Sequence, residues 1–254
     1  MRNLIIGVAA AVMAMAAPGI ASADTRATIG AQYTNLDSDT FSDNVDVFGL
    51  SGAFNYDFSN GWTVQGDATS NRADVGGSAD LGFSYSALNF GMRTDSHAVY
   101  GWVGLADGSA LPSVTHIGIG GQMYLSNITL EASLGYADID GLDSNPVNVS
   151  VDGTYFLNDN LGLSARVSHT DTDGGFGGID DFTSWGVGAE YRFADSPFSV
   201  NVAYNDADTS PDNIQAWSIG VKMDLGSDSL MDRSQHGPSW NGARSLFNDI
   251  LGGL

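Results

Sequence analysis

The stretch VNVSVDGTYFLNDNLGLSARVSHTD, residues 147–171, decides the fold. Val147, Val149, Val151, Tyr155 and Leu157 alternate with Asn148, Ser150, Asp152, Thr154 and Phe156. After a break at Asn158 to Asn160 the pattern resumes, with Leu161, Leu163, Ala165 and Val167 set against Gly162, Ser164, Arg166 and Ser168. Successive side chains of a strand point to opposite faces, so each half is a strand with one apolar and one polar face. The short break joins the two as a hairpin. A turn centred on Asp159 then sets Asp152 opposite Arg166, Val151 opposite Val167 and Tyr155 opposite Leu163.

The same alternation runs outward in both directions. Ile128, Leu130, Ala132, Leu134 and Tyr136 alternate with polar or small residues, as do Trp185 to Phe193 and Phe198 to Tyr204. Twelve such segments follow one another: 25–36, 45–58, 61–72, 79–92, 97–107, 113–125, 128–138, 147–157, 161–171, 181–193, 198–207 and 213–225. Hairpin geometry sets Gln122 opposite Glu131, Glu190 opposite Asn201 and Arg192 opposite Ser199. Two segments fit poorly. In 79–92, Leu81, Phe83 and Tyr85 share one parity while Leu88, Phe90 and Met92 share the other, which predicts a bulge near Ala87. In 97–107 both faces carry apolar residues, so its inward face is not assigned. These two leave ten or fourteen strands as alternatives.

The breaks alternate in length. Short turns lie at Ser59-Asn60, Arg93 to Ser96, Ser126-Asn127, Asn158 to Asn160 and Ala194 to Pro197. Between them lie longer links rich in Asp, Gly and Ser: Asp37 to Asn44, Ala73 to Ser78, Asp107 to Pro112, Ile139 to Pro146, Thr172 to Asp180 and Asp206 to Asp212. Short periplasmic turns and longer extracellular loops are the asymmetry of bacterial transmembrane barrels. The expected fold is therefore all-β, an antiparallel transmembrane β-barrel of twelve strands with both termini on the periplasmic side. No run after the first 23 residues is apolar for long enough to span as a helix, and a closed barrel is the other way to satisfy backbone groups in lipid. A soluble sandwich or β-helix would expose lysine and glutamate, whereas Lys222 is the single lysine here. Tyr56, Phe58, Trp62, Tyr124, Tyr155, Tyr191, Phe193 and Phe198 sit beside the short turns, where an interfacial aromatic girdle is expected.

The chain begins with a secretory leader: Arg2 as the basic residue, an apolar run from Leu4 to Met15, and Ala21-Ser22-Ala23 as the cleavage site. The mature chain would start at Asp24, divided into a barrel over 24–225 and a tail over 226–254. Glu131 and Glu190 are the only glutamates among 30 acidic residues, so the acidity belongs to aspartates in turns and loops. Loss of Arg2 takes the net charge from −21 to −22, which excludes nucleic acid as a partner because phosphates are repelled. The chain has no cysteine.

The last segment, Ser218-Ile219-Gly220-Val221-Lys222-Met223-Asp224-Leu225, resembles the terminal insertion signal of Gram-negative outer-membrane β-barrel proteins of the porin type. It departs from them in closing on Met223 and Leu225 rather than aromatics, and in being followed by a tail. The resemblance implies a place in the outer membrane among its lipids, delivery by barrel-insertion machinery through that last strand, and passage of small solutes. A homo-oligomer is compatible with it.

Parity nominates Asp67, Glu131, Asp152, Arg166, Glu190, Arg192 and Lys222 as lumen charges. Facing acids and bases would orient and select permeating solutes; alternatively they pair to fill and lock the barrel. Asp37, Asp39, Asp43, Asp171, Asp173, Asp180 and Asp181 form acidic loops at the mouth, which would enrich cations there. They match no calcium-loop spacing, and the run Gly174 to Gly178 between them contains only Phe176 besides glycine. No zinc spacing, Walker loop or dinucleotide fingerprint calls for a metal or cofactor. A hydrolase would need a serine beside His169, whose expected cross-strand neighbours are Val149 and Thr183, so no catalytic residue is assigned. Gly118-x-Gly120 lies inside a strand and marks close packing. In the tail, Trp240 precedes an apolar patch of Leu246, Phe247, Ile250, Leu251 and Leu254, spaced like one face of a short helix. The tail is expected to be disordered or a short helix, with docking in the periplasmic mouth as the alternative. The functional expectation is a diffusion channel for small neutral or cationic solutes; a structural or adhesin barrel with a filled lumen, and a lipid hydrolase, are the alternatives.

Overall fold

Period-two alternation over eleven or more residues is enough to cross a bilayer as a tilted strand, for which ~9–11 residues suffice. The computed structural model describes residues 25–38, 44–74, 80–109, 112–141, 145–172, 181–209 and 213–245. The expected leader with its cleavage site, Asp39, Asp43, Asp173, Asp180, the Gly174 to Gly178 run and the apolar patch from Leu246 to Leu254 lie outside the described residues.

Twelve strands form in chain order: β1 (Thr25–Ser38), β2 (Val45–Asp57), β3 (Trp62–Asp74), β4 (Asp80–Arg93), β5 (His97–Gly108), β6 (Val114–Leu125), β7 (Ile128–Ile139), β8 (Val147–Asn158), β9 (Leu161–Asp171), β10 (Phe182–Arg192), β11 (Phe198–Asp208) and β12 (Asn213–Leu225). Each pairs antiparallel with its neighbours in sequence, and β1 pairs with β12, from Ala27 opposite Leu225 to Ser38 opposite Ile214. The sheet is closed, so no edge is left unpaired, as a lipid environment requires. A short helix, α1 (Leu230–His236), follows the last strand. The hairpin registers read from the sequence hold: Asp152 faces Arg166, Gln122 faces Glu131, Glu190 faces Asn201 and Arg192 faces Ser199.

Which face is apolar follows from the solvent. Ile119, Val99, Leu50, Trp217 and Ile219 lie more than half exposed, and a belt of some thirty further large apolar side chains rings the outside. So much exposed apolar surface on a single chain marks a membrane-facing wall. Aromatics border it at both ends. Tyr56 meets Phe58 edge-on and Trp62 stacks on Phe90 at 4.6 Å near the short turns, while Trp185, Tyr204 and Trp217 cluster toward the long loops. Ile119→Arg, in the middle of β6, is expected to cost about 2–4 kcal/mol of barrel stability. Thr115→Arg, outward near the loop end of the same strand, should cost no more than about 1 kcal/mol. Guanidine unfolding in lipid vesicles measures both.

Two sequence expectations are corrected. β4 carries no bulge near Ala87, because its ladders to β3 and β5 run without a shift from Asp80 to Arg93. Odd-numbered residues face inward throughout, and the apolar Tyr85 is a buried interior residue that stacks on His116. Among the described residues the one register shift falls in β8 against β9, between Phe156 and Asn158. Tyr124 is not in the outer girdle: it is buried inside, its hydroxyl donating to Gln122 Oε1 at 2.8 Å.

The interior is not uniform. A cluster of Tyr85, Tyr100, Trp102, Tyr124, Ile139, Trp240 and small alanines fills the side of β4 to β7. This accounts for the two-faced apolar pattern of β5, whose Val99, Val103 and Leu105 face lipid while Ala98, Tyr100, Trp102 and Ala106 face inward. Gly118 and Gly120 lie beneath the rings of Trp102 and Tyr100, where a Cβ would collide with them. The opposite arc, β8 to β12, presents Gly162, Ser164, Gly186 and Ala203, and space remains there.

Candidate functional site: the lumen and the C-terminal segment

At the end of β12 the chain reverses at Gly226, whose φ of 84° is a left-handed conformation that glycine adopts without strain. The Arg26 Nε donates to the Gly226 carbonyl at 3.1 Å. The chain then enters the barrel. Ser229 caps α1 by accepting the Asp232 amide at 3.0 Å, and Asp232 returns the favour by accepting the Asp228 amide at 3.0 Å. The Met231 amide donates to the carbonyl of Asp159, in the β8–β9 turn, at 3.1 Å, which places the start of the helix at the short-turn end.

Arg233 on α1 makes the strongest attachment. Its two terminal nitrogens donate to the two oxygens of Glu190 on β10, both at 2.8 Å, and Nη1 also reaches Asp224 on β12 at 3.1 Å. Such a bidentate guanidinium–carboxylate pair fixes orientation as well as charge. Glu190 further accepts from Lys222 at 2.9 Å and from Ser199 at 2.5 Å. Asp224 accepts from Thr28 at 2.9 Å and lies 3.7 Å from Arg192, whose Nε donates to the Ser196 carbonyl at 2.9 Å.

A helix ends with carbonyls lacking partners. Here the wall supplies them: the His236 carbonyl accepts from Arg26 at 2.9 Å, Arg93 at 2.6 Å and Asn55 at 3.1 Å, and the Gly237 carbonyl from Arg93 at 2.9 Å. Cations at a helix C-terminus also meet its negative dipole end. Beyond the helix, Trp240 is buried between walls. Its ring lies parallel to Tyr100 at 4.7 Å, and the Arg93 guanidinium sits 4.9 Å from its centre. Gln65, itself wholly buried, donates to the Trp240 carbonyl at 2.8 Å and accepts its amide at 3.1 Å.

The seven nominated charges all occupy inward positions. Asp67 accepts from Gln65, from Asn89 at 2.6 Å and from Arg244 of the tail at 3.2 Å. Glu131 accepts from Tyr100 at 2.5 Å, Gln122 at 2.6 Å and the Asn241 amide at 2.8 Å. Asp152 and Arg166 stand 3.7 Å apart, and Arg166 donates to the Ser245 carbonyl at 2.9 Å. Glu190, Arg192 and Lys222 belong to the Arg233 cluster. Of the mouth aspartates within the described residues, Asp37 and Asp171 are exposed at the loop ends of β1 and β9, and Asp181 is exposed and accepts the Thr172 amide at 3.1 Å. His169 faces outward between Val149 and Thr183, its Nδ1 3.1 Å from the Thr183 hydroxyl. Among the described residues, no three His, Cys, Asp or Glu side chains gather as a metal site.

Sequence reasoning missed Arg26, Arg93, Tyr100, Gln65, Arg233 and Arg244. One signal was available: besides the exposed Arg72, each Lys and Arg of the strands is inward, and the tail adds two more arginines and a tryptophan to a lumen rich in carboxylates. Between tail and wall a cavity of about 360 Å³ remains. Thr28, Ser51, Asp152, Arg166, Asn205 and Lys222 line it from the wall, and Arg233, Ser239 and Arg244 from the tail.

Neither a family model nor a curated protein matches the sequence. Solved structures do match in shape. The NanC porin superposes with a TM-score of 0.59 at 11% identity, over 77% of this chain and 100% of that one. The KdgM porin gives 0.56 at 10%, over 76% and 98%. The translocator domain of the autotransporter NalP from Neisseria meningitidis gives 0.52 at 13%, over 87% and 95%. The likeness is one of fold: a closed antiparallel barrel of the kind found in outer-membrane porins.

Proposed function

We propose that this twelve-stranded barrel is a narrow outer-membrane channel through which small neutral or cationic polar solutes diffuse, its lumen constricted by its own C-terminal segment. The observation that carries the reading is the contrast between the two faces of one wall. The outside is an apolar belt, while the inside is lined by Ser, Thr, Asn and charges of both signs around the 360 Å³ cavity. Twelve strands lie between the eight-stranded barrels filled by side chains and the open sixteen-stranded porins. The leader expected over residues 1–23 supports export, and the acidic loops with an overall charge of −21 favour cations at the mouth.

Planar-bilayer recording under a potassium chloride gradient tests the reading. Stepwise conductance with a reversal potential on the cation side is expected; no steps, or anion preference, overturns it. In the same recording Asp152→Asn should shift the reversal potential toward anions, because the cavity loses a carboxylate while Arg166 remains. The competing reading is a structural barrel with a filled lumen, which the buried Trp240 and its neighbours favour. Silence from both the native chain and the Trp240→Ala variant would select it.

A further inference from the structure

The contacts of residues 236–245 with the wall are of an unusual kind, because most are made to the backbone of the segment. Arg93 donates to the carbonyls of His236 and Gly237, and Gln122 to that of Ser239 at 2.9 Å. Gln65 takes both the amide and the carbonyl of Trp240, pairing with it as one strand residue pairs with another. Glu131 accepts the amide of Asn241, the Tyr100 hydroxyl accepts that of Gly242 at 3.1 Å, and Arg166 donates to the carbonyl of Ser245. Five of these six wall residues come from adjacent strands β3 to β7, the sixth from β9. Together they form a set of donors and acceptors that reads main chain and is indifferent to most side chains.

Three side-chain positions are read. Trp240 fills the slot between Tyr100 and Arg93. At Gly242 a Cβ would meet Trp102 and the Cβ of Ser133 at under 3 Å, so nothing larger than glycine fits there. Arg244 reaches the buried Asp67. Pro238, Ser239 and Asn241 instead border the cavity.

We propose that the lumenal wall is a polypeptide-binding track, held in cis by the chain's own residues 236–245. In trans it takes a short peptide with an aromatic residue, a glycine two positions later and a basic residue four positions later. The inference does not depend on conduction. A tethered occupant competes at an effective concentration in the millimolar range, so a free peptide gains the track when the resident segment is weakened.

The test uses the full chain in detergent micelles and a fluorescein-labelled synthetic peptide of residues 236–245 as probe, followed by anisotropy. Trp240→Ala should bind the peptide saturably, and the native chain at least tenfold more weakly. Arg244→Ala, which loosens the segment without touching the aromatic slot, should also bind more tightly than native. Peptides carrying alanine at the Trp240 position or valine at the Gly242 position should bind Trp240→Ala at least tenfold more weakly. Heat-dependent gel mobility confirms that both variant barrels are folded. Absence of saturable binding to both variants, or equal binding of a scrambled peptide, overturns the track. Bilayer recordings on the same preparations separate the two claims: conduction without peptide binding sinks the track alone, and peptide binding without conduction sinks the channel alone.

Discussion

In the Trp240→Ala variant, the amides of Trp240's successor residues should lose their protection from hydrogen exchange while the strands keep theirs. Trp240 is 1% exposed and belongs to the interior cluster with Tyr100 and Trp102. Truncating a buried tryptophan costs about 3–5 kcal/mol, and the parallel stack on Tyr100 adds about 1 kcal/mol beyond burial. Three kcal/mol is on the order of a hundredfold in the ratio of docked to released segment. The Gly242 amide, now held by Tyr100, reports that release directly. The barrel's own ladders involve no residue of the segment, so gel mobility and strand exchange should remain native. In a bilayer the same variant should conduct more, because the constriction spends more time away from the wall.

The second large effect is expected at Glu190. Its carboxylate answers Arg233 twice, Lys222 and Ser199, and Glu190→Gln leaves two part-buried cations facing a neutral group. Breaking one side of a buried pair costs about 3–5 kcal/mol, and the partial exposure of Lys222 places this case at the lower end. Arg233→Met alone should also weaken docking, since it removes the guanidinium that Glu190 and Asp224 share. The double variant should lose less than the sum of the two, with a coupling of at least about 1 kcal/mol. Exchange at the Gly242 amide measures all three. Strictly additive losses would show that Arg233 and Glu190 do not act as a pair.

The architecture was legible because a membrane barrel writes its fold in short-range terms. Each strand begins and ends within two residues of the limits that alternation and turn composition set, since a one-residue slip would turn Val149, Val151 and Val167 from lipid into the lumen. Pairing registers such as Asp152 with Arg166 followed from turn positions alone. The misreadings arose where the inside is itself apolar. Tyr85 beside His116, Trp102 over Gly118 and Tyr124 beside Gln122 are interior aromatics, and alternation cannot distinguish a lumen packed with rings from a lipid face. What packs against them is Trp240, more than a hundred residues away from Tyr100 in sequence. That contact depends on closure of the whole sheet, and no local spacing announces it. Asp152 and Arg166 were found as a pair, but Asp67 and Glu190 were found as residues and not as partners, because they answer arginines of the tail rather than of facing strands.

Engineered cysteines test most directly whether the C-terminal segment lies inside the closed barrel. The chain has no cysteine of its own, and the hydroxyls of Thr129 on β7 and Ser234 on α1 are 2.9 Å apart. Thr129→Cys with Ser234→Cys in the full chain should form an intramolecular disulfide under mild oxidation of the folded protein, detected as loss of both free thiols without a change in mass beyond two hydrogens. If both thiols instead stay reduced and react with a bulky maleimide, the segment lies outside the barrel and the account is wrong.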